Sequence, residues 1–162
     1  MDGHFAKNIT LSFDLIRAIK SISELPIDAH LMVTNPNDFI DQLFDIGVDT
    51  ISLHAETIQK DSYRIIRKIK DHGCKFGVVI CPATPLSLVK WYLDQVDLLT
   101  IMTVEIGYAG QKFIPQMLGK IAEAKDLLLE NDYHYIIQID GAIGRQVYKP
   151  LFDNGARAFV MG

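Results

Sequence analysis

Three stretches of the sequence end in side chains that could bind a metal ion or move a proton. Asp140 ends the β-branched run 135–140 and is followed by glycine, and His30 lies in the apolar run 27–33. A third run, 98–104, leads into an acid and a glycine-containing loop. Because parallel strands present their carboxyl ends at one edge of a sheet or barrel, we predict that these groups share one site. The pattern is typical of an enzyme.

The histidine and the acid leave more than one role open. His30 and Asp140 could be metal ligands or an acid–base pair, since both types of side chain do such work. A strand-end histidine can also be a hydrogen-bonded structural residue, and an aspartate before glycine can simply form a turn. His54 and Glu56 end another strand and could either support the ligands or face solvent.

Glycines follow three successive predicted strands and indicate a phosphate site. The segment 107–110 comes after a strand and before a helix, where backbone amides suit an anion. Gly141 and Gly162 end the next two strands, where barrel enzymes often hold phosphate. Each glycine alone could serve only a turn, whereas the three together favour a phosphorylated substrate.

Methionines fall near three strand ends. Met1, Met32 and Met102 all lie close to the carboxyl end of a predicted strand. Methionine usually fills irregular gaps in a core. Three of them at one mouth would form an apolar collar around a reacting carbon.

Strand and helix patterns alternate along the whole sequence. The predicted strands are 28–33, 50–55, 75–81, 98–104, 135–140 and 157–161. The predicted helices begin at Asn35, Asp61, Thr84 and near Pro115, and Gly47, Gly73 and Gly155 follow helix ends. This alternation predicts an α/β fold with parallel strands and right-handed crossovers. Polar residues at nearly every strand end favour a barrel over a doubly wound sheet.

The strand count predicts a barrel that is incomplete at both ends. A (β/α)8 barrel typically needs about 250 residues, and the 162 residues here contain six predicted strands. The segment 1–3 resembles the end of a strand, and 159–162 a last strand without its helix. We therefore expect residues 1–162 to form a single (β/α) barrel domain that lacks strand 1, most of strand 2 and the last helix. Unpaired strand edges would make this chain associate.

Charge, N-terminal pattern and cysteine spacing limit which partners and which cellular compartment we expect. A net charge of −4 and a pI near 5.7 give no reason to expect nucleic acid or an anionic membrane as partner. The N-terminus lacks the pattern of a signal peptide, and no apolar run approaches a membrane span. Seven extended steps of about 3.3 Å would hold Cys74 and Cys81 roughly 23 Å apart, too far for a disulfide. Reduced cysteines fit a cytoplasmic protein.

The order and spacing of several motifs resemble the ribulose-phosphate 3-epimerase family across essentially all 162 residues. The motifs are Met-Asp-Gly-His-Phe at 1–5, His-Leu-Met-Val at 30–33, Met-Thr-Val at 102–104, Gly-x-Ala-Gly-Gln-Lys-Phe at 107–113 and Asp-Gly at 140–141. The D-allulose-6-phosphate 3-epimerase branch is especially similar in 31–34, 56–58, 109–111 and 113–118.

The resemblance implies a (β/α)8 TIM barrel of the ribulose-phosphate-binding type and an isomerase of carbohydrate metabolism. Such an epimerase would invert C3 of D-allulose 6-phosphate or D-ribulose 5-phosphate through an ene-diolate. One divalent metal ion (Zn, Fe, Mn or Co) on the C2 and C3 oxygens would acidify the C3 proton. One carboxylate would remove that proton, and a second would return one to the opposite face.

Roles carry over to this sequence residue by residue. His30 and Asp140 would be metal ligands, and Asp140 would also be a catalytic acid–base group. The substrate and its phosphate would meet His30, Gly107, Tyr108, Ala109, Gly110, Gly141, Ala142 and Gly162. Met1, Met32 and Met102 would line the plane of the ene-diolate.

Departures from the family pattern limit the prediction. The family has a His-x-Asp pair just before Met-Asp-Gly, which supplies two more ligands and the other acid, and Asp2 is not that aspartate. The family serine after Gly162 is absent too. We therefore expect the 162-residue chain alone to be inactive, and the full-length protein to be an active homo-oligomer whose partner is a small ketose phosphate.

Two other readings remain open at this point. A different phosphate-binding barrel enzyme, such as a nucleotide decarboxylase, would need a catalytic lysine near a strand-end aspartate, and no predicted strand ends in lysine. A non-catalytic or degenerate relative could keep sugar-phosphate binding without turnover.

Overall fold

A computed structural model describes residues 1–161. The strands are β1 (Asp28–Leu31), β2 (Thr50–His54), β3 (Lys75–Ile80), β4 (Leu98–Met102), β5 (Ile136–Asp140) and β6 (Ala158–Val160). The helices are α1 (Phe13–Ile22), α2 (Asn37–Ile46), α3 (Ser62–Asp71), α4 (Met117–Glu130) and α5 (Arg145–Asp153). Every observed strand lies within a predicted one, so the predicted strands are confirmed.

The strands form one sheet in the order β1-β2-β3-β4-β5-β6, and all of its pairs are parallel. A doubly wound sheet reverses its order at a switch point, whereas the strands of a barrel follow one another around the wall. The order in residues 1–161 runs without reversal. The predicted α/β class is therefore confirmed, with an arrangement typical of part of a barrel wall.

The helical predictions need two corrections. No α-helix follows Thr84: two short 3-10 turns, Leu86–Leu88 and Leu93–Gln95, stand there. The apolar residues of this segment are buried at roughly helical spacing, but its amides bond three residues back, which gives tighter turns. Helix α1 was not predicted, although the Ser12 hydroxyl accepts a bond from the Leu15 amide as an N-cap.

One face of the sheet packs against the helices. Alternate strand residues on this helix-facing side are apolar and buried: Ala29, Ile51, Leu53, Phe76, Val78, Ile80, Leu99, Ile101, Ile137 and Ile139. They belong to one cluster with helix residues such as Ile40, Leu43, Ile66, Ile69 and Ile121. This period of two places the main core between sheet and helices. No helix within residues 1–161 is long and apolar enough to cross a membrane.

The opposite face of the sheet, here called the site face, carries polar groups on the intervening residues. Asp28 accepts hydrogen bonds from Ser52 Oγ at 2.6 Å and Gln138 Nε2 at 3.4 Å, and Gln138 also donates to Thr100 Oγ1 at 3.1 Å. Gly77 pairs with Ser52 in the ladder, and a Cβ at Gly77 would lie 2.1 Å from Ser52 Oγ. The polar layer therefore leaves no room for a side chain at Gly77.

Candidate active site

Most of the residues singled out from the sequence surround one cavity at the carboxyl edge of the sheet. The cavity measures about 560 Å³ and is lined by Met1, Met32, Met102, Gly107, Tyr108, Ala109, Gly110, Asp140, Gly141 and Ala142, among others. His30 lines a neighbouring cavity of about 660 Å³ that shares Met1 and Met32 with the first. Gly162 lies outside the described residues. The expected strand-end groups are thus brought together.

His30 and Asp140 come together from β1 and β5. Their nearest atoms, His30 Nδ1 and Asp140 Oδ2, are 3.5 Å apart, and the side chains are 18% and 20% exposed. The amide of Thr103 donates to the Asp140 carbonyl at 2.9 Å and anchors the end of β5 to the strand beside it. Both groups are partly open to the cavities and held by the sheet.

The pair fits a divalent cation by its chemistry and its spacing. Imidazole nitrogen and carboxylate oxygen are common ligands of zinc and similar metals. Two ligand atoms at about 2.1 Å from a tetrahedral ion lie about 3.4 Å from one another, and the atoms of His30 and Asp140 are 3.5 Å apart. These two residues could therefore hold such an ion without a large rearrangement.

His54 stands directly behind His30. The two Nε2 atoms are 2.9 Å apart, and the two rings stack with centroids 5.0 Å apart. His54 is fully buried, and the ring of Phe5 covers it with centroids 4.7 Å apart. Burial lowers the pKa of His54 and keeps its ring neutral. The sequence left His54 open, and the structure places it against His30.

Glu56 lies on the far side of His54. Its Oε2 is 3.4 Å from His54 Nδ1, and its Oε1 accepts hydrogen bonds from the Cys81 amide, at 3.0 Å, and from the Thr84 hydroxyl. Burial alone would raise the pKa of Glu56, but the bonds to His54, Thr84 and the Cys81 amide outweigh it and lower the pKa to about 2. Glu56 is therefore a carboxylate at neutral pH.

His54, Glu56 and Cys81 also form a second group with metal-ligand atoms. One such atom from each residue lies within 4.8 Å of the others. Burial raises the pKa of the Cys81 thiol to about 12, and the Glu56 charge adds to this, so without a cation the sulfur keeps its proton. Cys74 and Cys81 are both free cysteines, as the sequence predicts.

Asp2 holds the N-terminal loop in place through hydrogen bonds to backbone amides. Its carboxylate accepts the amides of His4 and Phe5, each at 2.9 Å, and the amide of Thr34 at 2.6 Å. Desolvation opposes ionisation, but these three bonds prevail and hold the pKa of Asp2 below its usual range. Asp2 thus ties the N-terminal loop to the segment that follows β1.

The loop after β4 is folded by one glutamine. The side-chain amide of Gln111 donates to the carbonyls of Glu105, at 2.6 Å, and Tyr108, at 2.9 Å, while its oxygen accepts the Glu105 amide at 3.2 Å. Within residues 1–161, the backbone amides of 107–110 donate to no protein acceptor. They remain free to meet an anion in the cavity. Gln111 entered the sequence prediction only as part of the family motif at 107–113 and was assigned no role, because its contacts are visible only once the loop is folded.

The turn after Asp140 is tightly constrained. Gly141 has φ +117°, and a Cβ there would lie 2.5 Å from Val104 Cγ2. Ala142 follows with φ +51°, a backbone conformation that glycine adopts more easily. The Thr103 hydroxyl donates to the Gly141 carbonyl. This turn fixes the direction in which the Asp140 side chain leaves the sheet.

Comparison with known proteins gives a consistent family. The profile of the "Ribulose-phosphate 3 epimerase family" matches residues 1–162. The chain is 37% identical over 163 residues to ribulose-phosphate 3-epimerase from Bacillus subtilis (strain 168), and the match covers 100% of this chain and 75% of that protein. The corresponding enzyme of Treponema pallidum (strain Nichols) is 35% identical, with 100% and 74% covered. That of Methanocaldococcus jannaschii is 41% identical over 143 residues, with 88% and 60% covered.

Solved structures support the fold. 3-Hexulose-6-phosphate synthase from Salmonella typhimurium matches with a TM-score of 0.67 and 21% identity, over 93% of this chain and 70% of that one. A putative phosphonomutase from Burkholderia cenocepacia J2315 matches with a TM-score of 0.55 and 10% identity, over 91% and 66%. At these identities the likeness shows the fold alone, and the six-stranded sheet corresponds to part of a TIM barrel.

Proposed function

Because the chain belongs to the ribulose-phosphate 3-epimerase family, we propose that its site inverts C3 of a ketose phosphate with a divalent cation held by His30 and Asp140. Family membership makes the protein a sugar-phosphate 3-epimerase, an enzyme of the isomerase class. The cation, the residue roles and the substrate are the proposed parts. The observation that carries them is the 3.5 Å separation of His30 Nδ1 and Asp140 Oδ2 beside the cavity.

Asp140 is the proposed base for the C3 proton. When bound, the cation would withdraw charge from the substrate oxygens next to C3 and so acidify that proton. Asp140 borders the cavity, and the constrained turn after it holds the carboxylate in place. Met32 and Met102 lie beside it in an apolar cluster that would keep water from the reacting carbon.

Inversion also needs a group that returns a proton to the opposite face of the substrate. The described residues offer poor candidates, because Asp2 is engaged by three amides and Asp28 by Ser52 and Gln138. Glu105 is exposed at the rim. We therefore propose that residues 1–162 by themselves epimerise slowly or not at all.

The phosphate is proposed to lie between two turns at the rim. The free backbone amides of 107–110 and the turn at Gly141 and Ala142 line the same cavity. Amides of such turns bind an anion without a lysine or arginine. Tyr108 is exposed at this rim and would cover the phosphate.

D-Ribulose 5-phosphate is the proposed substrate, because the relatives from three organisms are named ribulose-phosphate 3-epimerases. D-Allulose 6-phosphate, longer by one hydroxymethylene unit, is the second candidate, since the segments 56–58 and 113–118 resemble that branch.

Exchange of the C3 proton in D₂O tests the proposal. The natural protein is incubated with each ketose phosphate and with zinc or manganese, and loss of the C3 signal is followed by NMR. We expect exchange with one substrate, and we expect Asp140→Asn to slow it about 10³-fold, within the usual contribution of a general base. An unchanged rate in D140N would refute the assigned base. Absence of exchange with both substrates in the natural protein would refute the function.

The same assay applied to residues 1–162 alone tests whether these residues contain a second working acid. Exchange without epimerisation would fit a site with one working base. Full epimerisation by these residues would show that the chain contains both acids.

A further inference from the structure

A continuous series of polar contacts leads from the cavity into the protein. Asp140 Oδ2 faces His30 Nδ1 at 3.5 Å, and His30 Nε2 faces His54 Nε2 at 2.9 Å. His54 Nδ1 then faces Glu56 Oε2 at 3.4 Å, and Glu56 Oε1 accepts the amide of Cys81 at 3.0 Å. Each histidine in this series uses both of its ring nitrogens, so the position of one hydrogen determines the next.

The charge of Glu56, at the inner end of the series, favours one direction for all of these hydrogen bonds. The Cys81 amide can only donate, so the Glu56 oxygen next to it must be an acceptor. The other oxygen of Glu56 is buried and has no regular hydrogen-bond partner within residues 1–161. His54 Nδ1 lies 3.4 Å from this oxygen and 3.5 Å from the Cys81 sulfur. A charged carboxylate can only accept and is a far stronger partner than a thiol, so we assign the hydrogen to this nitrogen. In the neutral, fully buried ring, Nε2 of His54 is then the acceptor.

The hydrogen between the two histidines therefore belongs to His30. His54 Nε2 offers a lone pair at 2.9 Å, and His30 Nε2 must donate to it. A neutral His30 then has its lone pair on Nδ1, which faces the carboxylate of Asp140 at 3.5 Å. Two lone-pair atoms at this distance repel one another unless a cation lies between them.

We propose that Glu56 and His54 are positioning residues that set the tautomer of His30 and keep its Nδ1 unprotonated as a ligand for a divalent cation. The proposal rests on the proposed function in taking that cation as the cofactor. Groups behind a metal-binding histidine commonly fix its tautomer and orientation in this way. Here a second histidine transmits the effect of the carboxylate, so Glu56 acts on the site without touching the substrate.

The competing arrangement puts the cation among His54, Glu56 and Cys81. Their ligand atoms are close enough, but His54 Nδ1 would have to give up its hydrogen and the Cys81 thiol its proton. Cys81→Ala separates the two arrangements, because alanine keeps the backbone amide that bonds Glu56 and removes the sulfur without placing a hydroxyl beside His54 Nδ1. We expect C81A to bind zinc as tightly as the unsubstituted protein, with one ion per chain.

Histidine tautomers in the metal-free protein give the direct test. ¹⁵N NMR of the ring nitrogens distinguishes a nitrogen with hydrogen from one with a lone pair. We expect His30 to carry its hydrogen on Nε2 and His54 on Nδ1, with no metal or substrate present. A hydrogen on His30 Nδ1 in this spectrum would overturn the proposal, whatever the activity of the protein.

Glu56→Gln is the most informative variant, because it keeps the shape of the side chain and reverses the direction of each hydrogen bond in the series. The Cys81 amide still needs an acceptor, so the glutamine oxygen takes that place and its NH₂ donates to His54 Nδ1. His54 then donates from Nε2, and His30 receives its hydrogen on Nδ1. We expect both tautomers to switch in the ¹⁵N spectrum and zinc affinity, measured by calorimetry, to fall about 10- to 100-fold.

Glu105→Gln is the matched control. It removes the same charge from an exposed acid at the rim of the cavity without touching the series. E105Q should change neither the tautomers nor the zinc affinity by more than about twofold. An unswitched spectrum in folded E56Q, or equal losses of affinity in both variants, would overturn the proposal. Correct tautomers with no C3 exchange would refute the proposed function and leave the tautomer assignment in place.

Discussion

The two faces of the sheet are made from alternate residues of the same six strands and are held together differently. On the helix-facing side, residues such as Ile101 and Ile139 are fully buried in apolar surroundings and need no particular partner. On the site face, Thr100 is just as buried, but it contacts the side chain of Gln138 through a directed hydrogen bond. The helix-facing side stabilises the fold through buried apolar area, whereas the site face stabilises it through specific hydrogen-bonded pairs.

This difference decides which substitutions each face can tolerate. Buried apolar area contributes roughly 25 cal/mol per Å², and neighbouring side chains can partly close around a missing methyl group. A polar pair has no such freedom, because a buried donor or acceptor left without its partner costs about 1–3 kcal/mol. The helix-facing side should therefore respond to lost volume, and the site face to changes of shape or hydrogen bonding.

The largest expected single effect is on β4, where two neighbouring residues belong to opposite faces of the sheet. Ile101→Ala removes a fully buried side chain from the helix-facing side and should lower the free energy of unfolding by about 3 kcal/mol. Thr100→Val keeps the volume on the site face and removes one acceptor from Gln138, which should cost about 1 kcal/mol. Urea unfolding of both variants measures the difference. If T100V proved as destabilising as I101A, the two faces would not differ in the way described.

A smaller effect is expected where the site face has no free volume. Gly77→Ala would place its Cβ 2.1 Å from Ser52 Oγ, in the layer that also holds Asp28. Overpacking of this kind costs about 2 kcal/mol. Thermal unfolding monitored by circular dichroism would show the loss as a lower Tm.

Gly119→Ala in α4 is the matched control for that substitution. A Cβ at Gly119 meets nothing within 4 Å, and alanine is the better helix former by about 0.8–1 kcal/mol. G119A should therefore raise the Tm while G77A lowers it. The double variant S52A/G77A should recover part of the loss, since it removes the clashing hydroxyl. No recovery would indicate that the clash is with the Cβ and Cα of residue 52, at 2.9 and 3.1 Å, rather than with the hydroxyl.

The sequence predicted the features that depend on local patterns and missed those that depend on contacts between strands. The strand positions came from local alternation of apolar residues, which needs no knowledge of neighbours, and all six strands were found. Asp140 was identified because it ends its strand, and His30 because it lies near the carboxyl end of its own. The link from Glu56 through His54 to His30 joins residues of different strands, so its direction is visible only from the folded distances.

The segments that were mispredicted lie outside this alternation. The turns at Leu86–Leu88 and Leu93–Gln95 bury apolar residues at nearly helical spacing, so the pattern alone does not distinguish them from an α-helix. The positive φ of Ala142 had no signal either, because alanine is an ordinary helix and strand residue.

The smallest predicted effect belongs to a pair of alanine-to-glycine substitutions, one at the rim of the site and one in the helix-facing core. Ala142→Gly, at the rim of the site, relieves an alanine at φ +51°, a conformation that costs about 1–2 kcal/mol for residues with a Cβ. The greater freedom of glycine in the unfolded chain takes back about 0.4–1 kcal/mol. We therefore expect A142G to raise the free energy of unfolding by about 0.5 kcal/mol, measured in urea.

Ala156→Gly makes the same chemical change in the helix-facing core. Ala156 is fully buried and lies outside the left-handed region. Glycine at this position would lose apolar contacts in the folded protein and would increase the conformational entropy of the unfolded chain. Both contributions have the same sign, and A156G should lower the free energy of unfolding by about 1–2 kcal/mol. Opposite signs for the two variants would show that the site rim holds backbone strain that the core does not. Equal losses would mean that Ala142 is not strained in solution and that the turn after Asp140 is held by its contacts with Thr103 and Val104 alone.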